Sequence, residues 1–203
     1  NGQQRYDELL NVINKIRKNV NKCKYISIPY EELKNQNNVF DVDVTKLIIN
    51  VNNSGITGKQ LGDILRYKYN IEVEMDSLKY VLGITTICDD YKELERLAEA
   101  LKEIDKSLEE KQNENISVEL LKNKRMYSIY ETDLKEKNTV NLFDSKDCIS
   151  GEFVFLYPPG IPLVVPGEVI TEELLEQIKV YLEANMNISG LKDNSNKTIE
   201  VVK

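Results

Sequence analysis

The 203-residue sequence contains no histidine. That excludes His-based catalytic triads, zinc–histidine sites and an imidazole general base within this chain. Cysteine is scarce. Cys23, Cys88 and Cys148 are odd in number and widely spaced, so they form neither a disulfide framework nor a metal-ligand spacing. The sequons Asn52-Asn53-Ser54 and Asn187-Ile188-Ser189 therefore carry no expectation of glycosylation. An excess of basic charge is missing too: 27 Lys and Arg face 34 Asp and Glu, for a net charge of −7 with both signs interspersed. Nucleic acid and anionic membrane both require a basic face, so neither is an expected partner. No apolar run approaches the ~18 residues of a membrane span, and the first residues show no signal-peptide pattern. A soluble, cytoplasmic protein is expected, of one large or two small domains.

What is present is a succession of short patterned segments. From Arg5 to Cys23, Leu9, Ile13, Ile16 and Val20 recur at helical spacing among Lys, Arg and Asn, predicting an amphipathic helix. A partner-binding helix would show the same pattern. Tyr25-Ile26-Ser27-Ile28 is a short apolar run, followed by an Asn-rich loop. Leu47 to Val51 reads as a strand. Thr57 with Gln60 forms a capping box that starts a helix carrying Leu61, Ile64 and Leu65 inward. Gly55 and Gly58 flank that start; the loop lacks GxGxxG or Walker spacing, and orienting the helix is its expected role rather than phosphate binding. Ile71 to Met75 alternates as a half-buried strand, with Glu72 and Glu74 on the polar face. Asp76-Ser77 predicts a turn and Tyr80 to Thr86 a returning strand. Asp90 with Glu93 signals the cap of a long helix whose apolar face is Leu94, Leu97, Leu101, Ile104 and Leu108.

Lys111 to Ser117 is charged and poor in apolar residues, as a linker would be. Beyond it, a short helix over 120–130 and a strand over 139–143 are expected. Thr171 caps a helix with Glu172 and Glu173 in its first turn, where the helix dipole favours acids, and with Leu174, Leu175, Ile178 and Leu182 as its core face. Thr198 to Val202 reads as a closing strand. The fold class predicted is α/β (α+β): a small mixed sheet with helices on one face, then a smaller α+β domain.

The densest pattern is Ile149 to Ile170, ISGEFVFLYPPGIPLVVPGEVI. Three prolines within five positions (Pro158, Pro159 and Pro162) fix φ near about −65° and remove three donors, so neither helix nor central strand is expected. Gly160 alone can take a positive φ without strain. The expected form is a rigid, extended crossing between two buried strands, Phe153–Leu156 and Leu163–Val165. The alternative is an exposed proline-rich ligand for an aromatic groove.

This run resembles the signature of the bacterial Orn/Lys/Arg decarboxylases, pyridoxal-phosphate enzymes that carry a nearly identical Tyr-Pro-Pro-Gly-Ile-Pro…Pro-Gly-Glu. The strand and Gly-Ile-Thr-Gly helix start at 43–61 are similar to the segment opening the family's small domain. The resemblance implies a connecting helix at 1–24, the small domain of an aspartate-aminotransferase-like fold at 25–112, and the decarboxylase C-terminal domain at 113–203. It also implies pyridoxal phosphate as cofactor, carried on a lysine preceded by histidine. That pair is absent here, and the first residue is not methionine. The chain is therefore expected to be the C-terminal portion of a longer enzyme and inactive alone. The implied substrate is a basic amino acid, arginine favoured over lysine or ornithine. The implied partners are the missing N-terminal cofactor domain and, when intact, a second or further copy of the enzyme. A free-standing binding or regulatory module derived from such an enzyme is the rival.

No residue is expected to be catalytic, to bind the cofactor or to hold a metal. Glu74, Glu152, Tyr157 and Glu168 are the candidates for the rim of the active site, because they lie in or beside the matching motifs. Each has a plainer role: a solvated charge for Glu74, a packed ring for Tyr157, a turn acceptor for Glu168. Glu152, flanked by apolar residues, needs a partner if buried. The sequence departs from the family's Ala-Val-Gly-Arg-Ile-Ser-Ala-Glu at Lys146 to Glu152, and again at Met126 to Asp133.

Overall fold

A computed structural model describes residues 1–36, 38–51, 54–110 and 121–203. The chain divides into two compact units, Asn1–Ile116 and Ser117–Lys203. The linker expected at Lys111 to Ser117 lies outside the described residues.

The first unit runs α1 (Gly2–Val20), β1 (Ile26–Ser27), β2 (Lys46–Val51), α2 (Gly58–Tyr69), β3 (Met75–Asp76), β4 (Tyr80–Ile84) and α3 (Tyr91–Ser107). Its sheet has the order β1-β2-β4-β3. Every pairing is antiparallel, where a mixed sheet was the expectation. The helical crossover α2 does lead from β2 to a strand of the same direction, β3, but the tight β3–β4 return places β4 between them. Along β2, Leu47, Ile49 and Val51 are buried and their neighbours half-buried. These three join Leu9, Ile13, Ile16 and Val20 of α1, Leu61 and Leu65 of α2, and Leu94, Leu97 and Leu101 of α3 in one core. The helical stripes and the strand period thus meet on one sheet face. Helix α1 packs on α3 and β1 within this core.

The capping box at α2 is complete: Thr57 Oγ1 accepts from Gln60 N (3.1 Å) and Gln60 Oε1 from Thr57 N (2.8 Å). At α3 only half of the expected pair forms. Asp90 accepts from Lys92 N (2.9 Å), whereas Glu93 turns to Arg96 (2.6 Å). The strand expected over 71–75 shrinks to Met75–Asp76. Helix α2 ends at Asn70 in the left-handed conformation (φ 51°), and Ile71 N still donates to Leu65 O (2.9 Å), so the chain reaches the ladder late. The alternation survives in exposure alone, with Glu72 and Glu74 outside and Ile71 and Val73 half-buried. Gly58 explains how closely α2 approaches the β3–β4 turn: a Cβ there would lie 2.2 Å from Tyr80 O and 2.5 Å from Ser77 O. Gly58→Ala is expected to cost about 1–3 kcal/mol by overpacking, read as a lower urea midpoint with an unchanged slope.

The second unit contains α4 (Ile129–Asp133), β5 (Lys137–Asn141), β6 (Val154–Leu156), β7 (Ile161–Val164), α5 (Glu172–Glu183), β8 (Ile188–Ser189) and β9 (Thr198–Val202). β5 pairs with β9, and a three-stranded sheet has the order β7-β6-β8, all antiparallel. Helix α5 starts at Thr171, which accepts from Leu174 N (3.2 Å), and buries Leu174, Leu175, Ile178 and Tyr181. The helix expected over 120–130 is not formed across 121–128. Lys124 and Met126 instead bond Val169 and Gly167 (2.9 and 2.8 Å), which holds that segment extended until Ser128 and Glu131 cap α4 with a complete box.

The proline run also differs from the expectation. β6 and β7 form a hairpin, not a crossing, with Leu156 opposite Ile161. Tyr157 to Gly160 make its turn, in which Tyr157-Pro158 and Pro158-Pro159 are cis, and Gly160 takes φ 98°. Pro162 is tolerated in β7 because that strand is the edge of its sheet. Nor are both strands buried: Ile161 and Pro162 are exposed, and Val164 alone of β7 is fully buried.

Candidate functional site

Glu152 is the best-defined of the four candidates. The segment before it lies between two neighbours, with Ile149 bridged to Val169 and Ser150 to Val201. Gly151 N donates to Glu200 O (2.8 Å), and Ser150 N donates to Glu168 O (2.8 Å). Ser150 Oγ then fixes the next turn by donating to Glu152 O (2.7 Å) and accepting from Glu152 N (3.3 Å). This delivers a carboxylate into the interior at 6% exposure. Its Oε1 accepts from Lys192 N (2.9 Å) and its Oε2 from Glu200 N (2.8 Å). Both oxygens are thus occupied by backbone donors, the partner that a buried acid requires.

Glu152 forms part of the floor of a surface depression of about 630 Å³, walled by Ile129, Tyr130, Phe153 and Pro166 and edged by Lys137 and Lys192. A Cβ at Gly151 would lie 3.0 Å from both Glu200 O and Lys137 Cδ, so the glycine lets the chain pack closely there. The charges at the edge are paired. Lys137 faces Asp133 (3.6 Å) and Lys192 faces Glu200 (2.6 Å).

Glu168 turns inward at the Pro166-Gly167 corner. Its Oε2 accepts from Val165 N (3.2 Å) and Asn123 Nδ2 (3.3 Å), and Oε1 lies 3.9 Å from Arg125. Gly167 is required at that corner, because φ is 93° and a Cβ would meet Tyr127 O at 2.2 Å. Tyr157 is 57% exposed at the hairpin turn, tied by its amide to Asn187 O (3.0 Å). Glu74 belongs to the first unit, with an exposed side chain and its amide on Leu82 O (2.8 Å). The structure therefore brings Glu152 and Glu168 onto adjoining segments of one unit, joined by Ser150 N on Glu168 O, and gives each carboxylate a main-chain donor.

Two carboxylates that sequence reasoning passed over do comparable work. Asp105, on the apolar face of α3, accepts from Lys24 N, Tyr25 N and Ile26 N at 3.0, 2.8 and 3.0 Å. An acid in register with Leu101 and Leu108 was the available signal. Asp193 organises the loop before β9, accepting from Ser195 Oγ and N, Lys197 N and Thr198 N. The Ser195 hydroxyl and amide lead in holding its carboxyl far below the usual aspartate range. A depressed folded-state pKa stabilises above the unfolded value of about 3.9, and that contribution is lost as pH falls through the folded one. The 193–198 loop is thus expected to gain amide-exchange rate below about pH 3.9, an effect absent in Asp193→Asn.

Pyridoxal phosphate needs a lysine whose amine is free of acids and lowered in pKa. No lysine among the described residues is buried. Among the described residues the buried charged groups are Arg17, Asp105 and Glu152. The lysines with shifted pKa values, Lys24, Lys34, Lys68, Lys146 and Lys192, all move upward through bonds to acids or phenols. The least exposed, Lys59 and Lys137, face Asp63 at 2.5 Å and Asp133 at 3.6 Å. No metal-holding cluster of acids and cysteines occurs among the described residues either.

Comparison with known families decides what this scaffold is. Residues 109–194 match the model of the Orn/Lys/Arg decarboxylase C-terminal domain. The chain thus resembles the C-terminal part of these decarboxylases. Across its whole length the chain is 35% identical to an arginine decarboxylase of Bacillus subtilis and 29% identical to one of Bacillus anthracis. It spans 42% of the length of each. All of it also superposes on 40% of the Francisella novicida lysine decarboxylase, with a TM-score of 0.74 at 17% identity. The constitutive lysine decarboxylase of E. coli gives 0.73 at 14% identity. These likenesses to solved structures bear on the fold alone. The α+β architecture of antiparallel sheets is that of the decarboxylases over both units.

Proposed function

We propose that this chain is the C-terminal region of a pyridoxal-phosphate-dependent decarboxylase of basic amino acids, and that it is inactive by itself. Arginine is favoured as substrate, giving agmatine, over lysine or ornithine. The observation that carries the reading is the 35% identity to the Bacillus subtilis arginine decarboxylase over the whole length of this chain. In the intact enzyme the cofactor would act as the electron sink that lets the α-carboxylate leave as CO₂. This chain's own residues have a different task, which is to hold each unit's loops in place beside that chemistry. Glu152, Glu168 and Asp105 fix loops by holding main-chain amides. Of the rim candidates, Tyr157 and Glu74 present exposed side chains, and these two are the groups proposed to reach the substrate path. A cytoplasmic homodimer or larger homo-oligomer is the proposed state of the intact enzyme.

The absence of a fitting lysine supports the inactive-alone reading. It is tested by mixing the 203-residue chain with pyridoxal phosphate and, in turn, arginine, lysine or ornithine. Neither a lysine-bound cofactor absorbance band nor CO₂ release is expected. Turnover with any of the three would mean that a lysine of this chain carries the cofactor, and would overturn the reading.

A further inference from the structure

We propose that the apolar face of the second unit around the Glu152 depression is where the cofactor-bearing region of the complete enzyme seats; the inference rests on the functional reading above. Eight of the twelve large apolar side chains exposed among the described residues belong to this unit, although it is the smaller one. Ile129, Tyr130 and Phe153 wall the depression, and Leu134 follows directly at the end of α4. Tyr130 and Leu134 are 74% and 70% exposed. Four of the eight thus stand at or beside the depression, a gathering of exposed apolar side chains that suits a covered surface.

The chemistry of the depression favours a protein surface as occupant. A free basic amino acid or a phosphate would need an unpaired charge to meet it. Lys137 and Lys192 are already matched to Asp133 and Glu200, and the Glu152 carboxylate is filled by two amides. What remains on offer is an apolar wall with a satisfied polar edge, the composition of a docking core with its rim. The relatives supply the occupant: more than half of their length has no counterpart in this chain.

Hydroxyl-radical footprinting of the 203-residue chain and of the product of its complete reading frame tests this. Labelling at Tyr130, Leu134 and Phe153 is expected in the chain and is expected to be lost in the complete protein. Leu134→Glu is expected to leave the unfolding midpoint of the chain unchanged and to lower that of the complete enzyme. Equal labelling in both proteins would overturn the proposal, as would a complete Leu134→Glu enzyme matching wild type in midpoint and arginine turnover. Loss of labelling in the chain itself, with sedimentation as a dimer, would identify a second copy as the occupant instead. A complete protein with no cofactor band is a separate result: it would remove the functional reading, and this inference with it.

Discussion

Asp105→Ala is expected to destabilise the first unit by about 3–5 kcal/mol, which approaches the whole stability of a marginal domain. Three consecutive amides, of Lys24, Tyr25 and Ile26, converge on this one carboxylate at 2.8–3.0 Å. Alanine leaves all three donors without a partner in a region where Tyr25 and Ile26 are buried, and each orphaned donor costs about 1–3 kcal/mol. Cavity water would recover part of that, so the estimate lies below the simple sum. Asp105→Asn keeps the volume and one carbonyl oxygen. Its Oδ1 can still receive Tyr25 and Ile26, and the loss is the Lys24 bond, about 1–2 kcal/mol. Urea unfolding followed by circular dichroism reads both variants. A change under about 0.5 kcal/mol for alanine would mean that the Lys24–Ile26 corner is held by its apolar contacts alone.

Glu152→Ala is the second large effect, at about 3 kcal/mol on the second unit. The carboxylate links Lys192 N to Glu200 N, and so joins the loop after β8 to β9, the strand paired with β5. Glu152→Gln separates shape from charge. Its amide oxygen can serve one of the two N–H groups, but its NH₂ faces the other donor, so a loss of about 1–2 kcal/mol is expected. These variants also weigh the rim role of Glu152 against its structural one. If the residue acts only by holding two amides, Glu152→Gln in the complete enzyme lowers the unfolding midpoint and leaves KM for arginine where it was. A raised KM at unchanged midpoint would give the carboxylate a place on the substrate path instead.

Local features of the fold were legible where one pattern had one physical meaning. Leu9, Ile13, Ile16 and Val20 could only be a helix face, and Thr57 with Gln60 only a cap. The closing strand Thr198–Val202 likewise stands where its alternation put it. Legibility failed where the outcome depended on a distant partner. Residues 121–128 have helical propensity, but Lys124 and Met126 are claimed by Val169 and Gly167, some forty residues on. The Tyr157–Pro162 run reads as rigid in sequence; whether a rigid segment crosses or turns back is set by the register of β6 on β7, which no local rule supplies. The all-antiparallel sheet follows from the insertion of β4 between β2 and β3, a choice of order rather than of pattern.

The site shows the same division. An acid among apolar neighbours, Glu152, was recognisable as a group needing partners, and its partners proved to be amides at residues 192 and 200. Asp105 had the same signature on α3 but was hidden inside a long run of charged helix residues. The missing histidine was the most informative single feature, because the resemblance implies a His-Lys pair that this sequence cannot hold. No lysine among the described residues is buried as a replacement would need to be.

We propose above that this chain is the C-terminal region of an arginine-favouring decarboxylase. The most direct test is the product of the complete reading frame, purified with pyridoxal phosphate and assayed for CO₂ release from arginine, lysine and ornithine. A lysine-bound cofactor band and turnover fastest on arginine are expected of it, and neither is expected of the 203-residue chain alone. A complete protein that binds no cofactor and releases no CO₂ from any of the three would contradict the proposal.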